Sequence, residues 1–546
     1  MAGREPSYPR LASLDIQGRD LWFLLDLTWG GQTIHLAQRD LVAPTGDQGA
    51  NVQYHSGLDL GEVEDVLELL TDAPNAKSTD LTMWLEPQIV VKDLLADGHI
   101  LGSMTGELHV WPDGGTSFQT LIVGRIINGA WDVDKSPVTG TIEEDPGQDE
   151  ARIPAIPAKV DNDTWTNHDT NITDDPYIIV VGTPGRAEAQ PLDPVGSPCQ
   201  FVNTSTDILQ VSDGDVIGNG AAQSLTIWNE SDGTKEAFNV DVGTDGRGRT
   251  VSTVDISGAT VLNINPGDKY WAIWKGVTHG IVDDGQTNAL TGAGDLIVWL
   301  MRQSALRWDR GRIAAIQPVL NRFVIDTFIS ASPDQRIKPW GYIQSELLPI
   351  LPVSPRIGPN GLYLVLWDYF LNDTAAVAAI EHGRNAFRDG DYQETSVDRV
   401  ASTISLRYQW AGTTNEFEGF AGLSGDDVTL TQDTRYQPSL YMRRARNFYG
   451  SNRIKEESTE IVRDASTAGL IVAWWSRAMG AQFVEMDYLV DPVIAARVEP
   501  GRSVKVTDAD RGFTDRLAIV DSVTWTLDGL MRMGLRMPPV DLGEAG

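Results

Sequence analysis

Cysteine is almost missing from this chain: Cys199 is the only one in 546 residues. That excludes a disulfide framework and a cysteine-held metal. No run of eighteen apolar residues occurs, so no membrane-spanning helix is expected. The opening MAGREPSYPR holds no apolar stretch, so no secretory signal is expected there, and synthesis in the cytosol is the expectation. Seven histidines, at 35, 55, 99, 109, 168, 279 and 382, are scattered and never form His-Glu-x-x-His. Positive charge is also scarce, with 43 Lys and Arg against 76 Asp and Glu and a formal charge of −33. General nucleic-acid binding needs clustered cations, and this balance argues against it. The acid excess has two readings. One is a surface made for solubility or a salty habitat; the other is a conduit wall that repels DNA so that it slides past.

What is present favours folded β structure. Hydrophobic residues make up 41%, with 17 Trp, 13 Tyr and 13 Phe, ample for packed cores. The length calls for about three or four domains. With 53 Gly and 28 Pro, turns are frequent. The expected class is mainly β with an α+β C-terminal part, in three zones: 1–145, 146–294 and 295–546. In the first, Leu21–Trp29, Thr33–Ala37, Leu81–Leu85, Glu107–Trp111 and Leu121–Trp131 read as strands, with Asp113–Gly115 as a turn. Ile89–Asp97 reads as a short helix closed by Gly98. This is the pattern of a small barrel or sandwich. An acidic linker, Glu143–Glu150, leads to the second zone. There Ile153–Pro157 and Tyr177–Val181 precede further strands at Ser224–Trp228, Glu236–Val242 and Tyr270–Trp274. Ser231–Gly233 and Asp283–Gly285 supply turns, so one or two all-β modules are expected.

The third zone mixes helices and strands. Asp295 reads as the N-cap of a helix, Ala314–Ile325 as a helix divided or kinked by Pro318, and Tyr342–Leu348 as another. Gly361–Trp367 reads as a buried strand. Ile461, Ala465, Ala468, Val472, Trp475 and Met479 define one helical face. That face is either a seam for a partner helix or a surface buried in its own domain, and Leu470, Ile471 and Trp474 favour burial. After Gly480 come period-two strands, ending with Leu517–Leu527, an Asp528-Gly529 turn and Met531–Arg536.

Chemical motifs mostly fail. Gly243–Thr250 matches phosphate-loop spacing except for arginine in place of lysine, but it lies between strands rather than before a helix. Asp368 and Glu381 flank aromatic stretches, as chance pairs must among so many acids. Gly422-Leu423-Ser424-Gly425 lacks the spacing of a nucleophile elbow. Asp508–Gly512 resembles half a calcium loop without its later glutamate, and a hairpin tip explains it better. Trp271 with Trp274, and Trp474 with Trp475, have the chemistry to stack on sugars, but cores are the commoner home of tryptophan. No catalytic, cofactor-binding or metal residue is assigned, and no enzymatic activity is expected.

Several stretches resemble the siphophage-type baseplate hub, or tail-tip, family of tailed phages. They are the loop Pro500–Gly512 with the hairpin Val520–Met537, the helix–strand–turn run ending in Leu121–Ile126, the strand Tyr177–Gly182, and Trp340–Trp367. The resemblance implies tube-forming β domains at both ends of the chain, around an inserted all-β module. It also implies a ring of three chains in the virion tail tip, each supplying two tube-like domains to a six-fold tube. Implied partners are distal tail and tail-tube proteins and a central fibre, with DNA passing through the channel without specific binding. The cysteine-rich module of some relatives cannot be held by a chain whose one cysteine is Cys199. The lack of long heptads favours a non-contractile tail with a separate fibre protein. The alternative function is a particle-associated protein that binds or hydrolyses polysaccharide, including a glycan of the host surface.

Overall fold

In a computed structural model, the described residues are 21–44, 51–66, 76–86, 88–113, 118–132, 136–147, 149–153, 158–182, 196–214, 224–274, 290, 292–330, 337–371, 376–411, 415–426, 435–450, 453–495, 498–525 and 531–538. The architecture is mainly β and multidomain, with the longer helices gathered between residues 293 and 479. The expected turns at Asp283–Gly285, Gly114-Gly115 and Asp528-Gly529, the run Pro154–Pro157, and His279 lie outside the described residues.

The first unit is a nine-stranded sheet. Strict alternation builds it: Phe23, Leu25, Leu27 and Trp29 of Leu21–Trp29 enter one core, while Asp26 and Thr28 face the other way. The sheet closes on itself through one bent segment. Asn51–Ser56 pairs in parallel with Gln32–Ala37, and Leu58–Leu60 pairs antiparallel with Ser78–Met83. Gly57 sits at the bend, donating its N–H to Ala37 O at 3.1 Å and accepting from Trp84 N at 2.8 Å. Closure removes the open edges that would otherwise template pairing with other chains. Inside, packed side chains fill the barrel.

A second barrel stands at the other end of the chain. Its sheet runs Ala378–Glu381, Ser503–Asp508, Phe513–Trp525, Met531–Met537, Val484–Val490 and Ala386–Arg388. Val484–Val490 alternates without a break, with Val484, Met486, Tyr488 and Val490 inward. Again a bent segment closes it: Ala378–Glu381 pairs in parallel with Ser503–Asp508, and Ala386–Arg388 antiparallel with Val484–Val490.

The two barrels share an order of elements. In the first, strand Ser78–Met83, helix Val91–Ala96, hairpin Thr105–Pro112 and Gln119–Ala130, then Val138–Glu144, which returns to pair with the first strand. In the second, strand Val484–Val490, helix Pro492–Ala495, hairpin Ser503–Asp508 and Phe513–Trp525, then Met531–Met537, which returns in the same way. In each, the bent segment is antiparallel to the first strand and runs parallel to the first hairpin strand. The first barrel adds the hairpin Leu21–Trp29 and Gln32–Ala37 between them.

Between the barrels lie two further units. A seven-stranded antiparallel sheet, Lys235–Asn239 to Asp241–Thr244, closes by the same device, its two outermost strands being consecutive around the buried Val240. The strand Ile178–Val181 pairs with Thr327–Ser330 and so ties the chain before this module to the helical unit. The helical unit packs Ala293–Gln303, Arg310–Leu320 and Ala465–Met479 against a hairpin, Val353–Gly358 with Gly361–Leu366, and a four-stranded sheet.

Several boundaries differ from expectation for physical reasons. Gly292, not Asp295, is the N-cap of Ala293–Gln303; Asp295 lies in the first turn and accepts from Gln317 Nε2 at 2.7 Å and Asn321 Nδ2 at 2.8 Å. The second helix starts at Arg310, capped by Asp309, and ends at Leu320, two residues beyond Pro318. Pro349 breaks the third into a short α turn, a π turn and a 3₁₀ turn. The face of Ala465–Met479 is buried in its own unit, with Trp474 Nε1 donating to Ile350 O at 3.0 Å, although Ala465 itself is exposed.

Gly57 is the position where closure is most exacting. Its φ is +154°, and a Cβ there would lie 2.8 Å from Trp84 O, a backbone atom. Gly57→Ala is expected to cost about 1–3 kcal/mol in a urea titration. Gly243→Ala, a strand glycine with open space around it, should shift stability by no more than about 0.5 kcal/mol.

Candidate assembly site

The two barrels are joined by a strand that crosses between them. Val63–Val66 follows the closing segment of the first barrel, yet it pairs antiparallel with Ser522–Trp525 of the second. One continuous apolar core runs through both, from Phe23 to Met537. The crossing strand alternates as well: Val63 and Asp65 are buried and Glu64 is exposed. A carboxylate is thus placed where a core residue would normally sit, and burying it alone would cost several kcal/mol.

Asp65 is matched by two cations from different places. Arg356, on the hairpin of the helical unit, bonds Asp65 Oδ1 through one guanidinium nitrogen and Val66 O through the other. Lys77 Nζ lies 3.3 Å from Asp65 Oδ2. All three side chains are 5% exposed or less. Lys77 in turn donates its backbone N–H to Glu144 Oε2 at 2.9 Å, and Glu144 N–H donates to Lys77 O at 3.1 Å. Burial pushes the Glu144 carboxyl up to about 7, against the pull of Lys77. The first barrel, the second barrel's sheet and the helical unit therefore meet at one buried ionic node.

Other polar clusters serve the barrels singly. On the first barrel's outer face, Asp26 Oδ1 lies 2.6 Å from His35 Nδ1, and Asp26 Oδ2 lies 3.4 Å from His109 Nε2. Burial pushes the Asp26 carboxyl up, and the hydrogen bonds from His109 and His35 more than reverse this, holding it below the usual range. Within the second barrel, Asp508 accepts from Arg388 Nε at 2.7 Å and from Tyr488 OH at 2.9 Å. These bonds, Arg388's above all, hold its carboxyl far below the usual range. Sequence alone does not signal either cluster except through cross-strand register, which places Asp26 opposite His35.

The motifs singled out in the sequence are drawn into structural contacts. Residues 243–250 form a hairpin in which Asp245 Oδ1 accepts from the N–H groups of Arg247 and Arg249 at 2.9 Å each. Asp368 is buried against Arg502, whereas Glu381 pairs with Arg384 at the surface. Ser424 is buried and its hydroxyl accepts from Asp426 N. Asp510 joins Asp508 on Arg388, with Gly512 in the left-handed region completing the tip. Trp271, Trp474 and Trp475 are buried, and Trp271 Nε1 donates to Glu230 at 2.8 Å. Among the described residues, no group of three or more His, Cys, Asp or Glu is placed to hold a metal ion.

The node makes two predictions. Arg356→Met should destabilise the fold by about 3–5 kcal/mol, because Asp65 loses a partner while buried, and Arg356→Met with Asp65→Leu should regain most of that loss. Chemical denaturation of the three proteins checks it. The second concerns pH. Because the folded pKa of Glu144 lies above its ordinary value of 4.5, the folded state binds more protons between that value and about 7. Stability from this group is therefore largest at low pH and falls as pH rises through that window, by roughly 3 kcal/mol in all. Glu144→Gln should flatten that part of the stability profile between about pH 5 and about pH 8.

No protein-family profile and no curated protein matches this sequence. Among solved structures the chain is similar to a tail protein from Neisseria meningitidis MC58, with a TM-score of 0.35 and 12% identity over 95% of this chain and 97% of that one. It is also similar to the 43 kDa tail protein of prophage MuSo2 from Shewanella oneidensis, with a TM-score of 0.32 and 12% identity over 94% and 98%. A third is a chain of the virion of a native gene transfer agent particle, with a TM-score of 0.32 and 13% identity over 61% and 79%. With TM-scores below 0.5, these likenesses are too distant to bear on function.

Proposed function

We propose that this chain is a structural component of a bacteriophage tail tip: a hub, without enzymatic activity, that joins the tail tube and distal tail protein to a central fibre. The observation that carries the proposal is the repeated barrel. One chain holds two β barrels that share an order of elements, in the N-terminal unit (1–145) and the C-terminal part (295–546), fixed to each other by strand Val63–Val66 and the Asp65–Arg356–Lys77 node. Three such chains around an axis would present six similar barrels, which lets a three-fold assembly meet a six-fold tube. The motif resemblances in both barrel regions support the same reading.

Rigid coupling matters for such a part. If the two barrels moved independently, their docking surfaces would not stay equivalent, and a symmetric contact would be lost. The shared core and crossing strand remove that freedom. The acidic balance suits a channel through which DNA passes without adhering. The middle module (146–294) carries no duty in this scheme. Of the tryptophans weighed for glycan stacking, Trp271, Trp474 and Trp475 are buried and offer no platform, and the side chain of Trp274 lies outside the described residues.

Two measurements test the proposal. Native mass spectrometry of the purified chain should give a species of three times 59.7 kDa. Phage particles carrying a gold label on this chain should show the label at the far end of the tail. Label on the capsid, or a chain that turns over host-wall polysaccharide, would overturn it.

A further inference from the structure

Two like barrels side by side leave one joint inside the chain and two outer faces. The inner joint has two halves. One is the segment that follows the closing segment of the first barrel and crosses as Val63–Val66. The other is the far end of Phe513–Trp525, the second strand of the hairpin in the second barrel. Register sets Val63 opposite Trp525, and the two are 1% and 2% exposed. Glu62, just before the crossing strand, lies 3.6 Å from Arg532.

Each half of the joint has a counterpart on an outer face. In the first barrel Gln119–Ala130 holds the place that Phe513–Trp525 holds in the second. Trp131 follows its last residue, as Trp525 ends the other strand, and both tryptophans pack on the common core. Trp525 is sealed beneath the crossing strand, whereas Trp131 is half-buried. Pairing with Thr105–Pro112 stops at Arg125, and beyond it Leu101 packs over Gly129, where a Cβ would lie 2.8 Å from Leu101 Cβ. The next side chain, Ile100, is 67% exposed. In the second barrel, the residues after the closing segment Ala378–Arg388 do not cross. Gln393 and Glu394 pair with Glu485 and Val484 of their own barrel, leaving Phe387 54% exposed and Tyr392 50%. Single exposed apolar residues are ordinary on a protein surface. Here they fall on both of the faces that the inner joint specifies.

We infer that Phe387 and Tyr392 of one copy cover Ile100 and Trp131 of the next, so that the joint inside the chain is repeated between chains. The inference rests on the ring proposed above and names the two faces that close it. The contact is head-to-tail: each copy offers its second barrel to the first barrel of its neighbour, and such a contact closes only when the rotation returns to the start. Copies with a formal charge of −33 repel one another, so burial of these apolar groups supplies the attraction.

The test uses the full chain with one face spoiled at a time: Ile100→Asp on the first barrel, or Phe387→Asp with Tyr392→Asp on the second. These side chains are exposed, so circular dichroism and the urea midpoint should match the native chain. Analytical ultracentrifugation should show self-association of each variant weakened by at least about tenfold. Mixing the two variants should give a dimer and nothing larger, because one sound joint can form between them and no second one. Raising salt from about 0.1 M to about 1 M should strengthen assembly of the native chain, since the screening length falls from about 10 Å to about 3 Å and the repulsion with it. If either variant assembles as the native chain does, or the mixture stays monomeric, this inference fails while the ring stands on other surfaces. If the native chain itself stays monomeric, both fail.

Discussion

A buried carboxylate on a borrowed strand sets the geometry of this molecule. Val63–Val66 leaves the first barrel to complete the sheet of the second, and Asp65 on it must find cations in the interior. Arg356 reaches it from the helical unit and Lys77 from the first barrel. An apolar pair of similar shape would hold most of that stability without ions. What the ions add is register: sliding the strand by one residue would turn Asp65 outward and Glu64 inward, away from both cations. The node thereby selects one arrangement of three units.

The second constraint is the sheet edge. Each of the three sheets that close does so by the same means, a continuous segment whose first half belongs to one edge and second half to the other. This needs a bend and little else, so it recurs in closed paths of nine, seven and six strands. The bend at Gly57 relies on absent side-chain atoms. In these three sheets, edges sealed within the chain leave side chains, rather than free backbone, to make contacts with neighbours.

Much of the β structure was legible in the sequence because alternation is local. Leu21–Trp29 and Thr105–Pro112 declare their inward faces residue by residue. The burial of Trp474 and Trp475 followed from apolar residues on several sides of their helix. The pairing was not legible. Asp65 and Arg356 are 291 residues apart, and nothing near either announces the other. The equivalence of the two barrels is likewise invisible in spacing, since it lies in which strands pair and in what direction, and their side chains differ. Asp295 shows a smaller failure of the same kind: its residue type fits a cap, but Asn321, from the next helix, takes over its backbone N–H at 2.9 Å and frees the carboxylate for other partners.

The proposed hub requires that two like barrels in one chain become six around an axis. Electron microscopy of the purified oligomer, viewed along its symmetry axis, measures this directly. Six evenly spaced barrel densities around an open channel are the expected picture. Three densities at one radius, with the second barrel set apart from the ring, would contradict it.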